Sequence, residues 1–516
     1  MNMAFLGDTQ AYLGMFITWL ISTLIVRYFI KSLMKKDQVK LPLGPMALPI
    51  IGHLHHLGPI PHQAFHVLAR KHGPVMQVRL GSMLSIVVSS ADMAREFLKT
   101  HERAFTSRPQ LKAVKSLTYG SAGFIFAPYG PYLKYMKRIC MMELLGGRQL
   151  ELFQSIRQQE IKHLLEYLFK KSQEGKDVDM GSELAILTNN IICSMTMSTC
   201  CPGAKDKADE CRSLLKEGSE LVGTFNLADF ISFCKNMDLQ GLEKRFKKVH
   251  KRLDDMMERI LKEHEEKKSN GGEPQDMVDI LLRISKDEGA EMKLTRENIK
   301  AFVLDIFGAG TDTSATTMEW ALAELVNNPN IFAMARDEIF SVVGRQRVVE
   351  ESDLPNLPYL QAIVKETLRL YPVGPLILRE STQDCKVGGY DIPKGAHIFV
   401  NVWAIGRDPN SWEDPLKFKP ERFIVESGGT NVDVKGQNFH LLPFGSGRRM
   451  CPGTSLALLV VETALASLIQ CFDFRVHNSS QDMGGNKVDM EEGRGMTLPR
   501  AHPLICSPVA HFNPFV

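Results

Sequence analysis

Apolar residues recur at helical spacing along most of the chain. The i, i+3, i+4 pattern predicts helices over residues 155–170, 241–268, 298–327 and 358–371. Short strand-like runs occur at residues 75–79, 85–88 and 397–400. The pattern therefore predicts a mainly α protein with a small β region, with a polar, glycine-containing connector at 267–275.

The N-terminus carries an uncharged apolar run at residues 9–26 that resumes at 28–30. A membrane-spanning helix needs about 17 to 25 such residues. The basic residues Arg27 and Lys31 follow the run, whereas only Asp8 precedes it, which disfavours the alternative of a cleaved signal peptide. We therefore predict four segments along the chain: a lumenal N-terminus at 1–8, one transmembrane anchor at 9–30, a basic and proline-rich connector at 31–52, and a cytosolic globular domain at 53–516.

Charge and cysteine content exclude some functions. The chain has 62 Lys and Arg residues against 59 Asp and Glu residues, a net charge of +3, so nucleic acid is not an expected partner. Its ten cysteines include no C-x-x-C pair, which argues against a zinc ribbon or a dithiol redox site. Free thiols in a reducing compartment fit a chain of this length better than a disulfide framework.

The most informative candidate chemistry lies in a glycine-rich turn at residues 444–453, just before an apolar helical run at 454–469. Glycine permits a tight turn and a close approach to a flat ligand. Cys451 is therefore expected at the N-terminus of a helix. The helix amides and the adjacent Arg448 and Arg449 are expected to stabilise a thiolate, which is the form of cysteine that binds metal.

Two glycines interrupt the helix predicted over 298–327. Gly308 and Gly310 each cost roughly 1 kcal/mol relative to alanine inside a helix, so their presence needs a reason. Room for a ligand against the helix is such a reason. Asp312 and Thr313 would then supply an acid and a hydroxyl beside that groove.

The turn at 444–453 fits the cytochrome P450 signature F-x-x-G-x-R-x-C-x-G at every fixed position. The chain resembles this family from about residue 41 to residue 508. The resemblance implies the cytochrome P450 fold and a haem b cofactor, iron protoporphyrin IX. Cys451 would be the axial thiolate, whose electron donation favours O–O cleavage. The room beside Gly308 and Gly310 would admit dioxygen, and Asp312 and Thr313 would deliver protons to the bound oxygen.

Further motifs carry the same resemblance. An E-x-x-R pair and a later P-E-R-F segment match a structural triad of Glu366, Arg369 and Arg422. The resemblance also implies a set of haem contacts, namely Lys137, Ala309, Gly310, Arg379, Phe444, Arg449 and Gly453. In one position the chain departs from the family, because Leu133 stands where a tryptophan is expected while Lys137 keeps the charge. Since a neutral hydrogen bond contributes about 1 kcal/mol and a charged one about 1.5 to 3, we expect weaker haem retention but an active enzyme.

The chain shows no flavin or nucleotide fingerprint, so the electrons must come from another protein. By resemblance to microsomal members, this partner is the NADPH–cytochrome P450 reductase of the endoplasmic reticulum membrane. The chain would be a single-pass protein of that membrane with its catalytic domain facing the cytosol. The candidate docking contacts are Lys134, Lys137, Arg138 and Arg448, for which a solvated charge cluster is the competing interpretation.

Segments 48–66, 126–148, 356–381 and 399–415 resemble the plant A-type family ninety-three, in particular its A branch. That family oxidises flavonoids and pterocarpans, and some members oxidise triterpenes. We therefore expect oxygen insertion into a flavonoid or pterocarpan, with β-amyrin-type triterpenoid oxidation or flavone-forming desaturation as alternatives. Aryl-migrating isoflavonoid synthesis is disfavoured, because Leu378 occupies the position of that branch's lysine. The expected pocket residues are Phe124, Phe225, Leu376, Leu378 and Leu498.

Two other classes of function compete with a monooxygenase. A haem protein that binds or rearranges a ligand without consuming oxygen would have less use for the Asp312–Thr313 pair. A haem-free membrane scaffold would have no reason to keep Cys451 in this loop.

Overall fold

The computed structural model describes residues 14–16, 18–19, 21–23, 26–27, 40–197, 204–269, 276–430, 432–476 and 487–515. The α-helices of the folded body are α1 (Pro61–His72), α2 (Ala91–Arg95), α3 (Lys112–Leu117), α4 (Pro131–Ile139), α5 (Gly147–Leu152), α6 (Gln154–Glu174), α7 (Met180–Met197), α8 (Ala204–Gly223), α9 (Leu227–Phe230), α10 (Leu242–Ser269), α11 (Met277–Lys286), α12 (Arg296–Asn327), α13 (Pro329–Val343), α14 (Pro358–Leu370), α15 (Val402–Ile405) and α16 (Thr454–Cys471). The strands are β1 (Val75–Leu80), β2 (Met83–Val88), β3 (Val178–Asp179), β4 (Leu376–Glu380), β5 (Cys385–Val387), β6 (Tyr390–Ile392), β7 (His397–Asn401), β8 (Phe472–Arg475) and β9 (Ile505–Ala510).

This mainly helical architecture with a small β region confirms the predicted fold class. The four predicted helices are present as α6, α10, α12 and α14, and the three predicted strands are β1, β2 and β7. Helix α10 continues to Ser269, so the connector predicted at 267–275 begins later than expected. Residues 270–275 lie outside the described part of the chain.

Helix α12 runs through the core. Its first turn is closed by a capping box, in which the Thr295 hydroxyl accepts from the Asn298 N–H and the Asn298 side chain accepts from the Thr295 N–H. Most of its side chains are buried on all sides, as expected of a helix that packs against α7, α14 and α16 at once. Exposed residues appear in its middle at Gly308, Ala309 and Asp312, so an interior cavity borders the helix there.

The largest sheet in the described part has the strand order β1-β2-β7-β4. Strand β2 runs parallel to β7, and the other two pairs are antiparallel. The preceding segment packs on β1, since the Gln77 N–H donates to the Leu43 carbonyl at 3.0 Å and the His53 N–H donates to the Arg79 carbonyl at 2.6 Å. Residues 43–53 therefore belong to the folded body and are not a free linker.

The predicted lumenal segment at 1–8 and much of the predicted anchor at 9–30 lie outside the described residues. The described residues between 14 and 27 are helical and expose Met15, Phe16 and Trp19. Among the described helices, α16 is long and apolar enough to cross a membrane, but 72% of it is buried inside the protein. Burial of that extent is typical of a core helix.

Candidate active site

Cys451 lies at the end of a loop that is held against the start of α16. Its N–H donates to the Phe444 carbonyl at 2.9 Å, and the Thr454 hydroxyl donates to the Cys451 carbonyl at 3.0 Å. The Cys451 residue is exposed, yet burial by surrounding protein is the largest influence on its pKa. The sulfur therefore faces an internal cavity instead of open solvent.

Burial raises the pKa of the Cys451 thiol, and several groups oppose this effect. The Gly453 N–H and the Thr454 hydroxyl come first, followed by the charges of Arg108 and Lys137. The charges of Arg448 and Arg449, which were expected to stabilise the thiolate, are not among these largest influences. Both guanidinium groups are directed to other partners, as their hydrogen bonds show.

Lys137 and Arg448 fasten the cysteine loop from outside. The Lys137 ammonium donates to the carbonyls of Arg448 at 2.7 Å and Met450 at 3.3 Å, so it braces the loop itself. Arg448 pairs with Glu102 at 3.0 Å and donates to the Tyr129 hydroxyl at 2.7 Å. Gly447 has a φ of +69°, and a Cβ there would overlap the Glu102 carboxylate, so the close approach requires glycine.

Arg449 joins the cysteine loop to the chain segment 106–127. Its buried guanidinium donates to the Thr106 carbonyl at 2.7 Å, to the Phe124 carbonyl at 3.2 Å and to the Ala127 carbonyl. Burial, together with the nearby charge of Arg108, lowers its pKa to about 10. Much of its hydrogen-bonding capacity is thus used to fix the backbone around the cavity.

Arg108, Arg379 and Arg449 form a cluster of cations inside the protein. Burial and then the charges of Arg108 and Arg449 hold the pKa of Arg379 well below its usual value. The hydrogen bond found for the Arg379 guanidinium goes to the Leu378 carbonyl at 3.0 Å, and the Arg108 Nε has no hydrogen-bond partner in the described structure. The charges of Asp305, near Arg108, and Glu102, near Arg379, oppose the three cations only in part, so the cluster is suited to an anionic ligand.

Arg108 was not singled out from the sequence, although its neighbours Arg379 and Arg449 were. It lies between the predicted elements, in a segment without periodicity, and no motif named it. Its contact with the Phe126 ring, 5.7 Å from the guanidinium carbon to the ring centroid, places it beside the same segment 106–127.

Asp305 is a second residue that sequence reasoning missed. It lies on α12 one turn before Ala309 and accepts a hydrogen bond from the Ile125 N–H at 3.0 Å. Burial raises its pKa to about 7, against the opposing effects of the Ile125 and Phe124 N–H groups and of Arg108. Asp305 therefore ties segment 106–127 to α12, as Arg449 ties it to the cysteine loop.

The two glycines of α12 have different surroundings. A Cβ added at Gly308 would meet nothing within 4 Å, whereas one at Gly310 would lie 2.6 Å from Cδ1 of Ile192 on α7. Only Gly308 therefore makes room along the cavity. The expectation that Gly310 does the same is wrong, because Gly310 permits close packing of α12 on α7.

The acid and the hydroxyl of α12 are both held by hydrogen bonds. The Thr313 hydroxyl donates to the Ala309 carbonyl at 2.7 Å, within the helix. The Asp312 Oδ2 accepts from the hydroxyl of Thr497 at 2.9 Å, across a sequence separation of 185 residues. Asp312 is exposed to the cavity, so its carboxylate is available to chemistry there.

The predicted structural triad is in contact. Glu366 accepts from Arg369 through two hydrogen bonds of 2.7 Å and from Arg422 at 3.0 Å, with the Glu366 and Arg369 side chains fully buried. The remaining donors of Arg369 reach the carbonyls of Gly406 and Pro415. The triad thus joins α14 to the segments that lead to the cysteine loop, as a structural element without a chemical group facing the cavity.

The expected pocket residues have mixed surroundings. Phe124 is buried against Phe302 of α12, with 5.0 Å between ring centroids. Phe225 is exposed and stacks on Phe230 at 4.9 Å. Leu498 is fully buried in a core cluster with Trp320, so it packs in the interior and leaves the cavity to its neighbour Thr497.

Strand β4 carries the other two expected pocket residues. Leu376 packs against the core cluster of Phe65 and Met76, and Leu378 is half-buried. Arg379, one residue further, is buried and therefore faces the opposite side of the strand from Leu378. Leu133, at the position where the sequence departs from the family pattern, is buried in the main core.

The helical fold and the cavity-facing thiol are features expected of a haem-thiolate oxidoreductase. The model of the family described as "Cytochrome P450" matches residues 42–499, so the chain belongs to the cytochrome P450 family. "Cytochrome P450 93A3" of Glycine max is 53% identical over 504 residues, covering 96% of this chain and 98% of that protein. The relatives confirm the resemblance to family ninety-three of the plant enzymes.

Two relatives with named reactions are similar over almost their whole length. "3,9-dihydroxypterocarpan 6A-monooxygenase" of Glycine max is 51% identical over 506 residues, covering 96% of this chain and 98% of that protein. "Beta-amyrin 24-hydroxylase" of Glycine max is 47% identical over 516 residues, covering 98% and 99%. A solved zebra fish cytochrome P450 with progesterone superimposes with a TM-score of 0.74 at 27% identity, covering 87% of this chain and 99% of that one.

Family membership implies a haem iron, a redox partner and a hydrophobic substrate, and makes the chain a monooxygenase. The residues present fit a haem. A cavity-facing thiol is available as the iron ligand, and the unpaired Nε of Arg108 lies in a cation cluster that two carboxylates of a ligand could neutralise.

Proposed function

We propose that this monooxygenase hydroxylates a hydrophobic plant polyphenol, a flavonoid or pterocarpan, at the cavity between Cys451 and α12. The proposed site rests on the geometry of this cavity. The Cys451 residue is exposed to it, and so is the face of α12 that carries Gly308, Ala309 and Asp312. The balanced reaction converts substrate C–H, O₂, NADPH and a proton into substrate C–OH, water and NADP⁺.

When bound, haem with a thiolate ligand supplies the oxygen activation. The buried arginines Arg108 and Arg379 would bind its propionates, with Arg449 holding the surrounding backbone. Gly308 and Ala309 leave a face of α12 unobstructed where the haem would bind. These groups would orient the cofactor.

Asp312 and Thr313 would deliver protons to the reacting oxygen. The Thr313 hydroxyl hydrogen points to the Ala309 carbonyl, so it must rotate to donate into the cavity. The Asp312 Oδ2 is occupied by Thr497, which leaves Oδ1 as the acceptor towards the cavity among the described groups. An acid and a hydroxyl one residue apart can pass protons from water to the reacting oxygen.

The electrons would come from an NADPH–cytochrome P450 reductase that docks on the face of the cysteine loop. Arg138 and Arg448 are both exposed there, and Lys134 lies 5.4 Å above the Tyr129 ring. Lys137 contributes less to this surface, because its ammonium is turned to the loop carbonyls. An acidic partner would therefore meet Lys134, Arg138 and Arg448.

The proposed location is the endoplasmic reticulum membrane, with the N-terminal anchor at 9–30. Exposed apolar side chains support a membrane-facing surface on the folded body, since Met46 is 91% exposed, Phe233 65% and Leu239 64%. The segments that carry them meet at the β1–β2 turn, where the Gly81 N–H donates to the Ile51 carbonyl and the Ser82 N–H to the Phe230 carbonyl. Exposed apolar side chains on neighbouring segments are typical of a membrane contact.

A triterpenoid is the second candidate substrate. The similarity to the β-amyrin hydroxylase favours it, and so do the hydrogen bonds of the hydroxyl groups in the segments that carry Phe124 and Phe225. Thr118 and Thr224 donate to carbonyls of their own helical turns, and Ser121 donates to Gln110. These hydroxyls can still accept a hydrogen bond from a phenol, so the phenolic substrate remains the proposal.

The test uses membranes that contain the full chain and its reductase. Naringenin, 3,9-dihydroxypterocarpan and β-amyrin are offered side by side with NADPH, and products are identified by mass spectrometry with ¹⁸O₂. Oxygen incorporation into a phenolic is expected. Oxidation of β-amyrin alone would overturn the proposal of a phenolic substrate. Absence of the thiolate Soret band in the reduced, CO-bound spectrum would overturn the haem-thiolate assignment itself.

A further inference from the structure

Thr497 is the residue that reaches the acid of α12 from the far end of the chain. Its hydroxyl donates to the Asp312 Oδ2 at 2.9 Å. Within the described residues it is the hydrogen-bond partner of that carboxylate. A carboxylate rotates easily about its last torsion, so a single donor can select its orientation.

The turn that carries Thr497 is itself fixed to α12. The next residue, Leu498, donates from its N–H to the Val373 carbonyl at 3.0 Å, and its carbonyl accepts from the Trp320 indole at 2.8 Å. Trp320 lies on α12 and stacks on Tyr371, with ring centroids 4.1 Å apart. Below the turn, the Gly493 N–H donates to the Pro499 carbonyl at 2.8 Å.

Two consecutive residues of one turn therefore contact α12, Thr497 at Asp312 and Leu498 at Trp320. Leu498 is fully buried and sets the distance between the turn and α12. Thr497 is half-buried and reaches the cavity wall. The hydroxyl of Thr497 cannot move far from Asp312 while Leu498 stays in place. The contact is thus built into the fold and does not depend on a mobile surface group.

We propose that Thr497 is a positioning residue that holds the Asp312 carboxylate, through Oδ2, in the orientation from which Oδ1 exchanges protons in the cavity. This inference rests on the proposed role of Asp312 in the monooxygenase reaction. Thr497 would act through Asp312 alone, so its loss should reduce the fraction of electrons that reach product. It should leave haem content and overall folding as they are.

The experiment compares Thr497→Val, which keeps the shape and removes the hydroxyl, with Thr497→Ser, which keeps the hydroxyl. Both are made in the full chain and assayed with reductase on the best of the three substrates above. We expect product per NADPH to fall roughly threefold to tenfold in T497V, since the hydrogen bond that orients the carboxyl group is lost, and to stay within about twofold in T497S. Added to Asp312→Asn, T497V should cause no further loss.

A second readout does not depend on turnover. The infrared carboxylate band that is absent from the D312N holoenzyme should move in T497V and return in T497S. Unchanged coupling and an unmoved band in T497V would overturn the inference, and so would a T497V effect that multiplies with D312N. If D312N itself keeps full coupling, the proposed relay fails as well, whereas an impaired D312N beside a normal T497V removes only the role of Thr497.

Discussion

The hydroxyl of Thr313 is satisfied by its own helix, and this has a consequence for activity. We expect Thr313→Ala to leave the fold and haem content unchanged, because the 2.7 Å bond to the Ala309 carbonyl lies within one helical turn. Proton delivery should weaken by roughly 10²-fold, the lower range for general acid catalysis. More of the electrons should then reduce dioxygen to hydrogen peroxide, which is measured as hydrogen peroxide formed per NADPH consumed. Thr313→Ser is the matched control, and equal coupling in both variants would remove Thr313 from the relay.

Arg108 should affect the haem-free and haem-bound chains in opposite directions. Arg108→Leu relieves the charge that lowers the pKa of Arg379 and Arg449, so the haem-free chain should become more stable. The same change removes a donor to an anionic ligand, worth about 1.5 to 3 kcal/mol. Haem transfer to a haem-scavenging protein should therefore accelerate at least tenfold. The haem transfer rate of Arg108→Lys should lie between those of the unmodified chain and R108L. An unchanged transfer rate in R108L would contradict the role of Arg108 in binding the anionic ligand.

At the scale of residues, the sequence predicts those that belong to motifs. Cys451, Asp312 and the Glu366 triad stand in short patterns whose chemistry can be read directly. Arg108, Asp305 and Thr497 could not be found this way, because their partners are distant in sequence. The Asp305 contact to Ile125 spans 180 residues and the Thr497 contact to Asp312 spans 185. Only the folded chain brings these groups together.

Helix α12 offers a matched pair of glycines for testing how it packs. Gly308→Ala should stabilise the protein by up to about 1 kcal/mol, since open space surrounds the position. Gly310→Ala has the same helix propensity but places its Cβ 2.6 Å from Ile192, an overpacking that costs about 1 to 3 kcal/mol. Chemical denaturation of both variants should show G310A less stable than G308A. Equal stability would mean that Ile192 on α7 moves aside without loss of free energy of unfolding.

Asp305 links α12 to segment 106–127 and should make stability depend on pH. Its pKa is raised from 3.8 to about 7 by burial, so the folded chain holds a proton that the unfolded chain releases. The folded state binds more protons between these two values, and stability falls as pH rises from about 4 to about 7. The full effect is of the order of 4 kcal/mol. Asp305→Asn should flatten the difference between unfolding midpoints at pH 5 and pH 7.5, and an unaltered slope would contradict this.

At the scale of elements, periodicity predicts helices well because burial on one or all sides leaves a repeating apolar pattern. The four helices marked by spacing are present with boundaries that differ by a few residues. The glycines of α12 show what the apolar pattern does not predict. The sequence shows that each glycine destabilises the helix, but only the packing of α7 shows which glycine faces that helix.

At the scale of the whole molecule, the exposed cations near the cysteine loop should set reductase affinity. Arg138→Glu reverses a charge that pairs with Glu291, and Arg259→Glu reverses one that pairs with Glu210 on α8. Both side chains are more than half exposed, so the two variants lose comparable ion pairs. We expect R138E alone to raise the reductase concentration for half-maximal rate severalfold, more so at low salt. Equal behaviour of the two variants would place the docking face elsewhere.

The buried arginine cluster also bears on how the protein matures in the cell. Before the cofactor arrives, Arg108, Arg379 and Arg449 repel one another in a poorly hydrated interior, and Arg449 is already needed to gather the carbonyls of segment 106–127. A dianionic ligand should therefore stabilise a region that Arg449 already holds in place. Biosynthetic yield would then follow haem supply, because chains without the cofactor would be less stable and more exposed to degradation.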